Sequence, residues 1–175
     1  MKKKLLNVFF IFIIFFSFIL QCTLFKKLSF GGISPNLLMI TTTSIGLMKG
    51  EKAGVYAGFF SGILIDIFFG SVIGLYALIY MNLGYIVGKF SRIFYPEDIK
   101  LPLALILLSD LSYGMICYIL MFLLRGRFHF VYFFLHIIFP ETVYTILISI
   151  VLYPFILFIY KKLNVEENRS EIDFV

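Results

Sequence analysis

Residues 50–70 have the sequence GEKAGVYAGFFSGILIDIFFG, in which every fourth position of a long apolar run is glycine except position 66, which is Asp. Four residues advance an α-helix by about 400°, so Gly54, Gly58, Gly62 and Asp66 line one slowly winding face. Small residues at this spacing let helices approach closely in lipid, where no hydrophobic force drives helix association. The stretch therefore predicts a membrane helix whose glycine face packs against protein.

The composition of the whole chain also indicates a membrane protein. Of its 175 residues, 61% are apolar and 14% are charged, whereas soluble chains have roughly 45–50% and about 25%. We expect a single all-α membrane domain over residues 1–175, with both termini cytoplasmic. We predict six spans: 5–25, 35–48, 53–69, 71–90, 101–124 and 140–160. An aromatic interfacial or re-entrant segment at 128–139 precedes the last span, and a polar tail at 161–175 follows it.

The first apolar segment resembles a signal peptide, because three lysines at positions 2–4 precede it. Its length of about 20 residues is that of a membrane span rather than of a cleaved hydrophobic region. No small-x-small cleavage site follows it. We therefore expect segment 5–25 to remain as an uncleaved span.

The distribution of lysine and arginine predicts the orientation. With the N-terminus inside, eleven of the fifteen cations are cytoplasmic: Lys2, Lys3, Lys4, Lys49, Lys52, Lys89, Arg92, Lys100, Lys161, Lys162 and Arg169. The other four are external: Lys26, Lys27, Arg125 and Arg127. This excess follows the positive-inside rule. The cations are scattered over loops, so we expect acidic headgroups of the lipid bilayer, and no nucleic acid, as counter-charges.

Two aspartates fall inside predicted spans. A carboxylate at mid-span costs at least about 2.5–3.5 kcal/mol, so Asp66 and Asp110 must face protein or water or be protonated. Asn82 on the neighbouring span is a possible hydrogen-bond partner of Asp66. Asp66 and Asp110 together could relay a proton or bind a cation, or the two aspartates could be separate structural hydrogen-bond centres.

The span after residue 70 carries a second pair of glycines at the same spacing, Gly84 and Gly88. These residues predict a groove that matches the Gly54–Gly62 face. Two interpretations remain open and compatible, namely helix packing within this chain and contact with another membrane protein.

Other reactive side chains do not form a recognisable site. Cys22 and Cys117 are interpreted as small buried hydrophobes, and His129 and His136 as residues at headgroup level. The sequence has no HExxH, no nucleophile elbow, no phosphate-binding glycine loop and no kinase signature. We expect no enzyme activity, no cofactor and no metal.

The order of these motifs resembles the MreD family of rod shape-determining proteins. The resemblance extends over roughly residues 5–163, and its most specific part is Pro35–Lys89. The first matching features are Pro35-Asn36 before a short span and the glycine-spaced span Gly54–Asp66, which ends in Asp. A Gly-Leu-Tyr-Ala-Leu stretch follows at Gly74–Leu78, and then Gly84-Tyr85 followed by Gly88-Lys89.

The resemblance implies a multi-pass protein of the bacterial cytoplasmic membrane that acts as a non-enzymatic scaffold of the elongasome. Its implied partners are an MreC-like membrane protein, an MreB-like filament, RodA and a class B penicillin-binding protein. The implied fold is similar to that of the S components of energy-coupling-factor transporters, with the Gly54–Asp66 face and the region of Gly74 and Tyr76 in the core.

A small-molecule carrier is the alternative function, since an S-component-like vitamin-binding subunit would account for the buried carboxylates. Segment 5–25 contains no alanine, however, and so lacks the Ala-x-x-x-Ala docking motif common in S components. A lipid-modifying enzyme is a remote third possibility, because the chain has no candidate nucleophile paired with a base.

Overall fold

The computed structural model describes residues 2–29, 32–70, 72–95, 99–121 and 130–172. These residues form helices and connecting turns and contain no strand, which confirms the all-α class. The helices are α1 Lys2–Cys22, α2 Leu24–Lys27, α3 Leu37–Lys49, α4 Glu51–Phe69, α5 Leu75–Lys89, α6 Lys100–Met121, α7 Phe130–Phe133 and α8 Phe139–Ile172. A 3-10 turn at Phe90–Ile93 follows α5, and a π-helical segment at Phe134–Ile138 joins α7 to α8.

Within the described residues, four helical stretches are long and apolar enough to cross a membrane: Val8–Lys27, Glu51–Phe69, Lys100–Leu120 and Phe130–Lys162. The remaining two predicted spans correspond to α3, with 13 residues, and α5, with 15 residues. At 1.5 Å per residue these helices are about 20 and 22 Å long, shorter than the roughly 30 Å hydrocarbon core. The count of six spans therefore stays a prediction.

The short helix α3 is the centre of the bundle. Every residue from Leu37 to Met48 is buried, and α3 contacts α1, α4, α5, α6 and α8. Three of its hydroxyl side chains bond within the helix, because Thr41, Thr43 and Ser44 each donate to a backbone carbonyl one turn earlier. A polar run is thus tolerated at the centre of an apolar bundle.

Hydroxyl pairs connect α3 to its neighbours. The Thr42 hydroxyl donates to Ser61 Oγ of α4 over 2.9 Å, and Thr41 Oγ1 lies 2.9 Å from Ser17 Oγ of α1. All four groups are buried. These interhelical bonds fix the register of α1 and α4 against the central helix.

Several helix boundaries differ from the sequence-based expectation. The first span is interrupted at Thr23, where α1 gives way to α2. The fourth begins at Leu75, because Gly74 adopts a left-handed conformation with φ of 98° immediately before it. Ser71 and residues 122–124, at the ends of two predicted spans, lie outside the described residues.

The end of the chain forms one long helical stretch. The sequence places a helix start at Pro140, but no break separates Phe130 from α8, and the helix continues through the predicted tail to Ile172. The 33 residues of Phe130–Lys162 are about 50 Å long, so the stretch is tilted or extends beyond the hydrocarbon core. An interfacial position for its aromatic beginning stays a prediction.

Candidate functional site

One glycine makes the connection between α3 and α4. Gly50 has a φ of 88°, a conformation that side chains disfavour, and it both ends α3 and begins α4. The chain therefore reverses direction within a single residue. Gly46 and Gly54, one turn away on either side, approach so closely that a Cβ on Gly46 would lie 3.5 Å from the Cα of Gly54.

The glycine face of α4 is occupied by α5. A Cβ added to Gly54 would collide with the backbone of Gly84, and one added to Gly58 would collide with the backbone of Tyr80. On α5, a Cβ on Gly88 would lie 2.5 Å from the Cα of Glu51. The two helices thus meet backbone to backbone along their length, and this face is not open to a partner protein.

Asp66 completes this contact as a cap of α5. One turn after Gly62, its Oδ1 accepts the backbone N–H of Tyr76 over 3.0 Å, and its Oδ2 accepts that of Ala77 over 2.9 Å. These N–H groups lie in the first turn of α5, where they have no partner within the helix and where the helix dipole favours an anion. Asp66 is 1% exposed, so the bonds replace those that water would supply.

The proposed partner of Asp66 is wrong. Asn82 is exposed, and its Nδ2 donates to the carbonyl of Leu78 on its own helix over 2.8 Å. The side-chain amide of Asn82 therefore bonds within α5 and not to Asp66. Gly74, predicted as part of the packing face, has open space where a side chain would be and acts in the turn before α5.

A second cap lies at the beginning of α3, which is buried. Asn36 Oδ1 accepts the N–H of Met39 over 3.1 Å, and Gln21 Oε1 from α1 accepts the N–H of Leu38 over 3.2 Å. The backbone N–H of Asn36 itself donates to Thr145 Oγ1 of α8 over 3.0 Å. Side chains from three segments thus satisfy donors that would otherwise be unpaired at membrane depth.

Asn36 is also the centre of a buried polar cluster that contains Asp110. The Asn36 Nδ2 donates to Asp110 Oδ1 over 3.1 Å. The Tyr80 hydroxyl donates to the Oδ1 of Asn36 over 2.7 Å. The ring of Tyr113 lies 5.3 Å from that of Tyr80 and 6.2 Å from that of Tyr76. The cluster connects α3, α5, α6 and α8 and surrounds the second aspartate with polar groups.

Part of this cluster is unsatisfied. Within the described residues, Asp110 Oδ2 and the Thr142 hydroxyl make no hydrogen bond of good geometry, although the hydroxyls of Thr142 and Thr145 lie beside the Asp110 carboxylate and interact with it. Asp110 is 2% exposed and Thr142 is 5% exposed. The Glu141 carboxyl group is close enough to interact electrostatically with Asp110. Unpaired buried oxygens of this kind are places where water, an ion or a polar ligand binds.

The two aspartates have separate partners. Asp66 bonds to the backbone of α5, whereas Asp110 bonds to the Asn36 side chain. Sequence reasoning missed Asn36 and Gln21 as functional polar residues. A signal for Asn36 was present, because Asn directly before an apolar helical run is a preferred N-cap, but nothing in the sequence connects it to residue 110.

The described residues contain no group of three or more His, Cys, Asp or Glu side chains that could hold a metal ion. His136 stacks on Tyr132 with ring centroids 4.3 Å apart, and its Nδ1 lies 3.0 Å from the Tyr132 carbonyl. His129 lies outside the described residues.

The fold defines a class of protein, namely an all-helical membrane protein with a closely packed helical hairpin and a buried polar interior. The family model described as rod shape-determining protein MreD matches residues 2–163 of the chain. The chain therefore belongs to the MreD family, and its role is in rod shape determination. This is a family of shape-determining membrane proteins and not a known enzyme family. No curated protein and no solved structure matches the chain.

Proposed function

We propose that the protein is a non-enzymatic scaffold of the elongasome in the bacterial cytoplasmic membrane. In this role it connects an MreC-like membrane protein and an MreB-like filament to peptidoglycan synthesis by RodA and a class B penicillin-binding protein. The observation that carries the proposal is the family match over residues 2–163.

The buried glycines and the Asp66 carboxylate take part in helix packing, which supports a binding role for the protein rather than catalysis. The glycine face of α4 is covered by α5, and both carboxylate oxygens of Asp66 are engaged by backbone N–H groups. These residues form the bundle, so partners bind its outer surface. That surface carries large exposed apolar side chains, such as Ile67 on α4 and Val151 on α8, which face lipid or the spanning helix of a partner.

The basic end of the bundle is the side proposed to face the MreB-like filament. The Tyr160 hydroxyl donates to the Met48 carbonyl over 3.0 Å, and Leu47, Val87 and Leu105 pack together. These contacts bring the end of α3, the end of α5 and the start of α6 to one end, where several of the predicted cytoplasmic cations lie: Lys49, Lys52, Lys89 and Lys100.

A depletion experiment tests the proposal. In the native host, removal of the protein is expected to convert rods to round cells and to disperse wall insertion, and the full chain expressed in trans is expected to restore both. Rod shape and localised wall insertion that persist after depletion would contradict a scaffold role.

Photo-crosslinking tests the partner surface. A crosslinking amino acid at outward positions, Ile67 or Val151, is expected to capture an MreC-like protein from at least one face. The same group at Thr43, which is fully buried, serves as the control and is expected to capture none. Crosslinks to lipid alone from every outward face would oppose direct membrane contact with such a partner.

A small-molecule carrier remains the second candidate, and the polar cluster around Asp110 favours it. Within the described residues, Asp110 Oδ2 and the Thr142 hydroxyl are buried without a hydrogen bond of good geometry, as in a site that a polar ligand completes. Mass spectrometry of the purified protein would detect a bound vitamin-like compound. Retention of that compound by the wild-type chain and its loss from Asp110→Asn would favour the carrier.

A further inference from the structure

A groove opens between α1, α3 and α4 where α3 ends and α4 begins. Its volume is about 340 Å³, and apolar side chains from all three helices line it, among them Phe10, Ile45 and Phe60. Lys49 and Lys52 also line the groove. It is an apolar slot with two cationic side chains at one end.

The positions of these lysines give the groove a polarity. The Lys49 ammonium group lies over the Phe10 ring, with 4.8 Å from Nζ to the ring centroid. Lys52 is exposed in the first turn of α4. The residues that line the groove, all within the described part of the chain, include no acidic side chain. The two ammonium groups make this end of the groove cationic, while the rest of its lining is apolar and is complementary to a hydrocarbon.

The dimensions decide what kind of molecule fits. From Lys52 to Phe60 the groove follows α4 for eight residues, or about 12 Å, against about 15 Å for the hydrocarbon of one leaflet. A slot of this length, apolar along its wall and cationic at one end, matches one acyl chain below an anionic headgroup.

The geometry points to a binding site for one anionic phospholipid, with its phosphate at Lys49 and Lys52 and one acyl chain along the groove towards Phe60. The exposed Tyr56 lies one turn below Lys52 on the groove wall, at the headgroup depth that tyrosine favours. The site does not depend on the proposed scaffold role, because no partner protein contributes to it.

Lipid binding to the purified full chain tests the site. In zwitterionic micelles, fluorescent phosphatidylglycerol is expected to bind more tightly than the matching phosphatidylcholine. The double variant Lys49→Gln, Lys52→Gln is expected to weaken phosphatidylglycerol binding about 25-fold, or about fivefold per lysine. The matched control Lys26→Gln, Lys27→Gln removes two cations from α2, at the other end of the bundle, and is expected to leave binding unchanged.

A second variant tests the hydrocarbon part. Ala53→Phe fills the groove while both lysines remain, and it is expected to displace the lipid with helical circular dichroism retained. Equal affinity for the two lipids, or equal weakening by the control pair, would overturn the site. Displacement of the lipid by excess inorganic phosphate would reduce it to a phosphate site. A photo-crosslinker at Ala53 that captures protein rather than lipid would assign the groove to another occupant.

Discussion

At Asp66, a carboxylate that is costly in lipid meets two backbone N–H groups that have no acceptor within their own helix. Each group would be unsatisfied alone, and both bonds lie near 3 Å. The two hydrogen bonds offset the cost of removing both the carboxylate and the backbone N–H groups from water. The consequence is that Asp66 stabilises the beginning of α5.

Replacement of Asp66 by Ala is expected to lower the free energy of unfolding by about 1–3 kcal/mol, because two buried N–H groups lose their acceptor. Asp66→Asn is expected to cost less, since the amide oxygen retains one of the two bonds. Thermal unfolding in detergent, followed by circular dichroism, measures both.

Asn82 provides the matched control for Asp66. It is exposed, and among the described residues its side chain bonds to a carbonyl of α5, so Asn82→Ala is expected to change stability by less than about 0.5 kcal/mol. If Asp66→Ala unfolds like the wild-type chain but fails to support rod shape, the carboxylate has a role beyond capping.

The hydrogen bond between Asn36 and Asp110 predicts energetic coupling. Asn36→Ala and Asp110→Ala each leave a buried partner unpaired, so each is expected to cost about 2–4 kcal/mol. The double variant removes both groups together and is expected to cost about 1–2 kcal/mol less than the sum.

A double-mutant cycle of unfolding free energies measures this coupling. The pair Asn82 and Asp110, whose side chains have separate partners, serves as the reference cycle and is expected to be additive. Additivity for Asn36 and Asp110 would show that the bond contributes nothing to stability.

At the scale of elements, the hairpin of α4 and α5 depends on the absence of side chains. The glycines of one helix lie against the backbone of the other, so dispersion contacts and close approach replace the hydrophobic effect that is missing in lipid. The same close approach brings the first turn of α5 within reach of Asp66. Glycine spacing and aspartate capping are therefore two parts of one contact.

Gly58→Ala is expected to destabilise the hairpin by about 1–3 kcal/mol, because the new methyl group meets the backbone of Tyr80, which cannot rotate away. Gly58→Leu is expected to prevent the contact. Phe59→Leu, at the next and outward position of α4, is the control and is expected to be nearly neutral. Equal tolerance of both glycine variants would show that α4 and α5 are not in backbone contact.

At the scale of the whole molecule, the described cations separate towards opposite ends of the bundle. Lys26 and Lys27 close α2, whereas Lys49 and Lys89 end α3 and α5 at the other end. A bundle with this asymmetry has a preferred orientation in the membrane. The cytoplasmic position of both termini follows from this rule and stays a prediction.

Cysteine labelling tests the orientation. In a Cys22→Ser, Cys117→Ser background, a membrane-impermeant maleimide is expected to label Lys26→Cys in intact cells. It is expected to label Lys89→Cys only after the membrane is permeabilised. Thr43→Cys, at a fully buried position, is the unlabelled control. Labelling with the two positions exchanged would invert the topology, and labelling of both in intact cells would refute the predicted span count.

The sequence by itself determined the solvent of this protein, its all-α class and the surface by which α4 packs. Periodicity is a property of one helix, so the alignment of Gly54, Gly58, Gly62 and Asp66 follows from helix geometry alone. The resemblance to the MreD family depends on the same local order of residues and is confirmed by the family match.

Only the tertiary structure decided which groups meet. Asn36 and Asp110 are 74 positions apart, and no local pattern carries that pairing. The Asn82 prediction failed because the backbone of α5, which a sequence pattern does not display, supplies the donors to Asp66. Buried polar groups are satisfied by whatever donor the fold brings near, so their partners depend on helix packing and not on sequence spacing.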